Sequence, residues 1–145
     1  MRRIILIAFL SLLWALPAFA AGKNKNQNIM SATEVAVGVP VSVTKSNPSN
    51  REGYLIVKTE NETPDASLVV TVLNAHSSGD VLVCTGTAIT TNTTWVIHLG
   101  SSLTPADGVD QNCIFPMARD VKYTFTVTGV DSDFDVTADM LWVTD

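Results

Sequence analysis

The chain has little of what most active sites are built from. It holds only two histidines in 145 residues: His76 in "NAHSSGD" and His98 in "WVIHLG". Neither has a second histidine or a cysteine at metal-ligand spacing, which excludes the usual zinc patterns. His76 stands beside Ser77, Ser78 and Asp80, the residue types of a hydrolase, but triads converge from separated elements, so a polar turn is its expected role. His98 alternates beside Val96, opposite Trp95, Ile97 and Leu99, and is expected to face solvent from a strand. Basic residues are scarce as well, with nine Lys and Arg against fourteen Asp and Glu. Arg2 and Arg3 fall in a segment expected to be removed, which leaves a formal charge of −7. That balance excludes nucleic acid and anionic membranes as natural partners, because phosphate binding needs clustered cations, and it favours metal cations. Nowhere do apolar residues recur at helical spacing for three turns, so no helical fold is expected. The two cysteines, Cys84 and Cys113, are not spaced as Cys-x-x-Cys and have no neighbouring histidine, which argues against a redox or metal-binding thiol pair.

What is present begins with "MRRIILIAFLSLLWALPAFA". A basic start, an apolar run and Ala18-Phe19-Ala20 form the small-x-small pattern of a signal peptide over residues 1–20, with the mature chain starting at Ala21. A retained membrane anchor is the rival reading of the same run. Ala21, not a cysteine, stands directly after the cleavage point, so a lipid anchor is not expected, and the product is expected to be secreted or periplasmic. In such an oxidising space a lone pair of cysteines reads as a Cys84–Cys113 disulfide, which stabilises by roughly 3 to 4 kcal/mol in the chain-entropy model.

About 125 residues then remain, enough for one domain. Residues 21–32, opening with "AGKNKNQN", have no apolar periodicity and read as a flexible leader. Residues 33–145 read as the folded domain. "EVAVGVPVSVT" places Val35, Val37, Val39, Val41 and Val43 on one face of a single strand, with Pro40 marking an edge. "YLIVKT", "SLVVTVLNA", "DVLVCT" and "TTWVIHL" follow as strands, and "GSSLTPADGVDQN" is a long loop inside the disulfide ring. "DVKYTFTVTGV" and "DFDVTADMLWV" read as a hairpin joined across Asp131, Ser132 and Asp133. Seven or eight short strands rich in Val and Thr predict an all-β, antiparallel β-sandwich, jelly-roll or immunoglobulin-like, with one disulfide.

Two features carry chemistry. Asp131, Asp133 and Asp135 lie close enough in sequence for a curved turn to bring them to one calcium ion, yet Asp133, Asp135 and Asp139 also fall on the polar side of an alternating strand, where a plain acidic face explains them. The aromatics Trp95, Trp142, Tyr54 and Tyr123 suit a sugar-binding platform, against which stands core packing on the same apolar faces.

The order "GVPVSV", "YLIVKTE", "SLVVTVLNAHSSGDVLV" and "CIFPMARDVKYTFTVTGVDSDFDVT" resembles the bacterial pre-peptidase C-terminal domain, a secreted jelly-roll sandwich. The likeness rests on "SSGDVLV" and "CIFPMARDVKYTFTVTG". Val81-Leu82-Val83 stands where that family has Asp-Leu-Tyr. The resemblance implies a substrate- or matrix-binding accessory module, sometimes calcium-stabilised, without catalysis.

The expected function is that of an exported, non-catalytic binding or cell-surface accessory module whose partner is an extracellular ligand or surface protein. The alternatives are a structural subunit of a surface or virion assembly that self-associates through edge strands such as "EVAVGVPVSV", and a small secreted hydrolase. No membrane span is expected after signal cleavage.

Overall fold

Alternation of apolar and polar side chains, rather than any long apolar run, builds the two sheets. The computed structural model describes residues 25–47, 51–60, 65–101, 109–130 and 133–143. Among them lie nine strands: β1 (Lys25–Ala36), β2 (Val41–Ser46), β3 (Gly53–Glu60), β4 (Ser67–Asn74), β5 (Val81–Thr85), β6 (Thr94–Gly100), β7 (Gln111–Ile114), β8 (Asp120–Thr128) and β9 (Asp133–Trp142). One sheet has the order β1-β9-β3-β6-β7 and the other β2-β8-β4-β5.

The pairing defines the topology. β1 pairs with β9, β2 with β8, β3 with β6 and β4 with β5, all antiparallel. Early strands therefore meet late ones in reverse order, as in one long hairpin ribbon wrapped into two layers, which is a jelly roll rather than an immunoglobulin arrangement. β9 on β3 and β8 on β4 complete the sheets. β7 is added outside this scheme, running parallel to β6.

The core lies between the layers. Phe134, Val136, Ala138 and Met140 of β9 are fully buried, as are Leu55 and Val57 of β3, and they face Leu68, Val70, Tyr123 and Phe125 of the other sheet. Each such Val, Leu, Met or Phe side chain contributes on the order of 1.5 to 3 kcal/mol by leaving water. Two buried asparagines are tied to backbone. Asn74 donates to Pro116 O at 2.9 Å and accepts from Ala118 N at 2.8 Å. Asn47 makes the same two-sided bond to Arg51 at 3.0 and 2.9 Å.

Three expectations are corrected. The valine run "EVAVGVPVSVT" is not one strand: Gly38 takes a left-handed φ of 74° and Pro40 cannot donate to a ladder, so the chain turns from the edge of one sheet to the edge of the other. Val39 stands in that turn, 63% exposed. The leader expected over 21–32 is largely strand, because β1 starts at Lys25 and pairs with β9 from there. Register shifts around Met30 bury the adjacent Ile29 and Met30 together, which erases the period-two signal. The expected hairpin between β8 and β9 does not form, since the two strands lie in opposite sheets and face each other across the core. Among the described residues the only antiparallel pair formed by consecutive strands is β4 with β5, closed by the "AHSSGD" turn that exposes His76.

Every sheet edge is blunted in one of the ways that discourage strand addition. β1 carries two register shifts. β2 begins just after Pro40 and contains Lys45. β5 has a bulge at Val83, which the pairing with β4 skips. β7 is four residues long.

Candidate functional site

The five-stranded sheet turns an unusual face away from the core. Along β3 the inward residues Leu55 and Val57 alternate with Tyr54, Ile56, Lys58 and Glu60, so the outward set begins apolar and ends charged. Register extends each of these across the sheet. Tyr54 lies between His98 and Leu141, Ile56 between Val96 and Asp139, and Lys58 between Thr94 and Thr137. Glu60 pairs with Asp135, which pairs in turn with Glu34. The centre is thus a half-buried apolar strip of Tyr54, Ile56, Val96 and Leu141, and its border is a row of carboxylates relieved by Lys58, whose Nζ lies 2.6 Å from Glu60. Beside this border, Lys58, Glu60, Asn92 and Thr94 line a shallow cleft of about 260 Å³.

The apolar end is closed by a polar cluster. His98 is 5% exposed, contrary to the expected solvent-facing position. The alternation is right, because His98 does point away from the core, but Tyr54 and Glu52 cover it there. Its ring lies 5.5 Å from that of Tyr54, and its Nε2 is 3.8 Å from Glu52. Nδ1 has no hydrogen-bond partner among the described residues. The other oxygen of Glu52 accepts from both the backbone N–H and the hydroxyl of Ser101 at 2.9 Å, and its backbone carbonyl accepts from Val143 at 3.0 Å. Gly100 permits this, because a Cβ there would lie 2.6 Å from the Glu52 carboxyl carbon. The Ser101 hydroxyl donates to Glu52. The cluster is a clasp that fixes the start of β3, the end of β6 and the end of β9.

The residues singled out in the sequence are distributed as follows. Cys84 and Cys113 are bridged with Cα atoms 5.7 Å apart, tying edge strand β5 of one sheet to edge strand β7 of the other. Asp133 and Asp135 lie on the outer side of β9. Asp131 lies outside the described residues, and among the described residues no three His, Cys, Asp or Glu side chains are grouped to hold a metal ion. Asp139 accepts from Asn28 at 3.1 Å. Of the aromatics, Tyr123 and Trp142 are buried and Trp95 packs against the core, which leaves Tyr54 alone on the outer face. The site also includes Glu52, Ile56, Val96 and Ser101, to which the sequence assigns no role. For Ile56 a signal is present in "YLIV", apolar on both faces of a strand, which marks a sheet covered on both sides or a surface that binds.

Fold and face together define a disulfide-bonded jelly-roll sandwich with an apolar, acid-bordered outer sheet. No family model matches the chain, and no curated protein matches it either. Among the described residues no helix is long and apolar enough to cross a membrane.

Proposed function

We propose that the protein is an exported, non-catalytic binding module that works in the periplasm or at the cell surface and takes its ligand on the outer face of the five-stranded sheet. The observation that carries this is the strip of Tyr54, Ile56, Val96 and Leu141, which the core does not use. Apolar surface gathered on one face and rimmed by charge is the composition of a recognition surface. The disulfide is consistent with an oxidising extracellular environment, and the signal-like N-terminus and the likeness of "SSGDVLV" to pre-peptidase C-terminal domains support the same reading. The blunted edges count against the alternative of a subunit that polymerises strand to strand.

The test is fractionation of cells producing the full-length chain. The exported protein is expected to be retained on the envelope or its matrix, and the pair Tyr54→Ala with Ile56→Thr, which leaves the core untouched, is expected to release it. Equal partitioning of variant and parent removes the outer face from the role. A product found in the cytoplasm with free thiols removes the export reading.

A further inference from the structure

We infer that the ligand of the outer sheet face is a cationic segment of another polypeptide, carrying Lys or Arg beside apolar side chains. The inference rests on the reading of that face as the binding surface and names the chemistry it selects. Acidity is gathered there. Register sets Glu34, Asp135 and Glu60 abreast on three adjacent strands at one end of the apolar strip. Asp139 flanks Ile56 from β9, and Asp110 flanks Val96, whose backbone N–H donates to its carboxylate at 2.7 Å. Glu52 stands at the other end, one residue before β3. With Asp133, half of the chain's fourteen Asp and Glu lie on this face. Among the described residues that strand alternation directs to it, Lys58 is the only cation, and Glu60 holds it. The opposite sheet differs. On its outer face Thr124 lies between Ser42 and Thr71, Thr126 lies beyond it, and Asp120 and Lys122 bring one charge of each sign at the end.

The cation has a defined seat. Glu52 Oε1 takes both bonds from Ser101, while Oε2 lies 3.8 Å from His98 Nε2, beyond hydrogen-bond reach, and has no other donor among the described residues. The Glu52 side chain is 36% exposed. Tyr54 is its next neighbour on the same side of β3, and Ile114, itself exposed, is the register partner of the Gly100 that Glu52 covers. A carboxylate oxygen without a donor, set beside apolar side chains, is satisfied by a ligand that brings a charged N–H and apolar surface together. An anionic apolar ligand leaves that oxygen unpaired and meets like charge at the row of Glu34, Asp135 and Glu60. From Glu52 to Glu60 the outward side of β3 spans about 27 Å, the length of about eight extended residues. One short segment with a cation at each end therefore reaches both acidic poles across the strip.

Three labelled peptides of equal length, built from Lys with Leu, Lys with Ser and Glu with Leu, test this by fluorescence anisotropy on the oxidised mature protein. The Lys–Leu peptide is expected to bind, and to weaken as salt is raised from about 50 to about 500 mM. The Lys–Ser peptide is expected to bind about tenfold more weakly, and the Glu–Leu peptide not at all. Glu34→Gln with Glu60→Gln is expected to weaken the Lys–Leu peptide about fivefold, and Tyr54→Ala with Ile56→Thr about tenfold. Glu52→Gln, which still accepts from Ser101, is expected to weaken it as well, with a melting curve to show that the clasp is intact. Equal binding of the Lys–Leu and Glu–Leu peptides, lost in the Tyr54 and Ile56 pair, overturns the cationic ligand and leaves the face as the binding surface. Absence of Lys–Leu binding, or binding that survives all of these substitutions, overturns the inference, while retention on the envelope judges the face separately.

Discussion

Tyr123 places a phenol in the middle of the core, fully buried, with no hydrogen-bond partner for its hydroxyl among the described residues. Burial pushes its ionisation well above the ordinary tyrosine range, because the phenolate has no solvent there. In the unfolded chain the group ionises near pH 10 while the folded chain keeps its proton, so stability falls as pH rises past about 10. Tyr123→Phe is expected to match or exceed the parent's stability at neutral pH, since an unsatisfied hydroxyl is removed, and to lessen the alkaline loss. Melting curves at pH 7 and pH 10.5 check both. A second contrast separates residues that share one sequence pattern. Val35 is fully buried and Val39 is 63% exposed, so Val35→Asp is expected to cost several kcal/mol in chemical denaturation and Val39→Asp less than about 0.5. Alternation made these valines equivalent in the sequence. The backbone at Gly38 and Pro40 separates them, and that turn chemistry was legible though outweighed by the periodicity.

Among the elements, the central strand pair is the most tightly constrained. At Gly53 a Cβ would sit 2.5 Å from the carbonyl oxygen of Leu141 and 2.6 Å from the terminal methyl of Met140. Gly53→Ala must therefore push β3 from β9, and it is expected to lower the melting temperature by several degrees, whereas Gly79→Ala in the exposed β4–β5 turn meets no atom within 4 Å and costs only its backbone strain at φ 128°. Strands with strict alternation, β3, β4, β8 and β9, were read correctly from the sequence because each buries one face. β1 was not, since an edge strand is held by backbone pairing and by polar contacts such as Trp142 Nε1 donating to Gln27 at 3.1 Å. The partner of a strand was the least legible property. β8 and β9 have the patterns and spacing of a hairpin, and nothing local states that the connection crosses between layers.

For the whole molecule, the bridge fixes the side where the sheets' last strands come together. Reduction, or Cys84→Ala with Cys113→Ala, opens a loop with a sequence separation of 29, and a loss of about 3.5 kcal/mol is expected on the chain-entropy account. Calorimetry with and without reductant measures it. This pairing was legible because two cysteines leave one choice. The outer-face site was only half legible: the polar side of β9 announced its aspartates, but the apolar strip is assembled from β3, β6 and β9, whose adjacency no stretch of sequence encodes. The reversed pairing order has a further consequence, for the time course of folding. β1 has no ladder until β9 exists, and β2 none until β8, so an emerging chain cannot complete either sheet before its last strands arrive. Closure across such spans is slow, in the millisecond-to-second range for sandwiches of this kind. Such a chain stays open until its last strands are available, and it locks only when the final strand enters between β1 and β3.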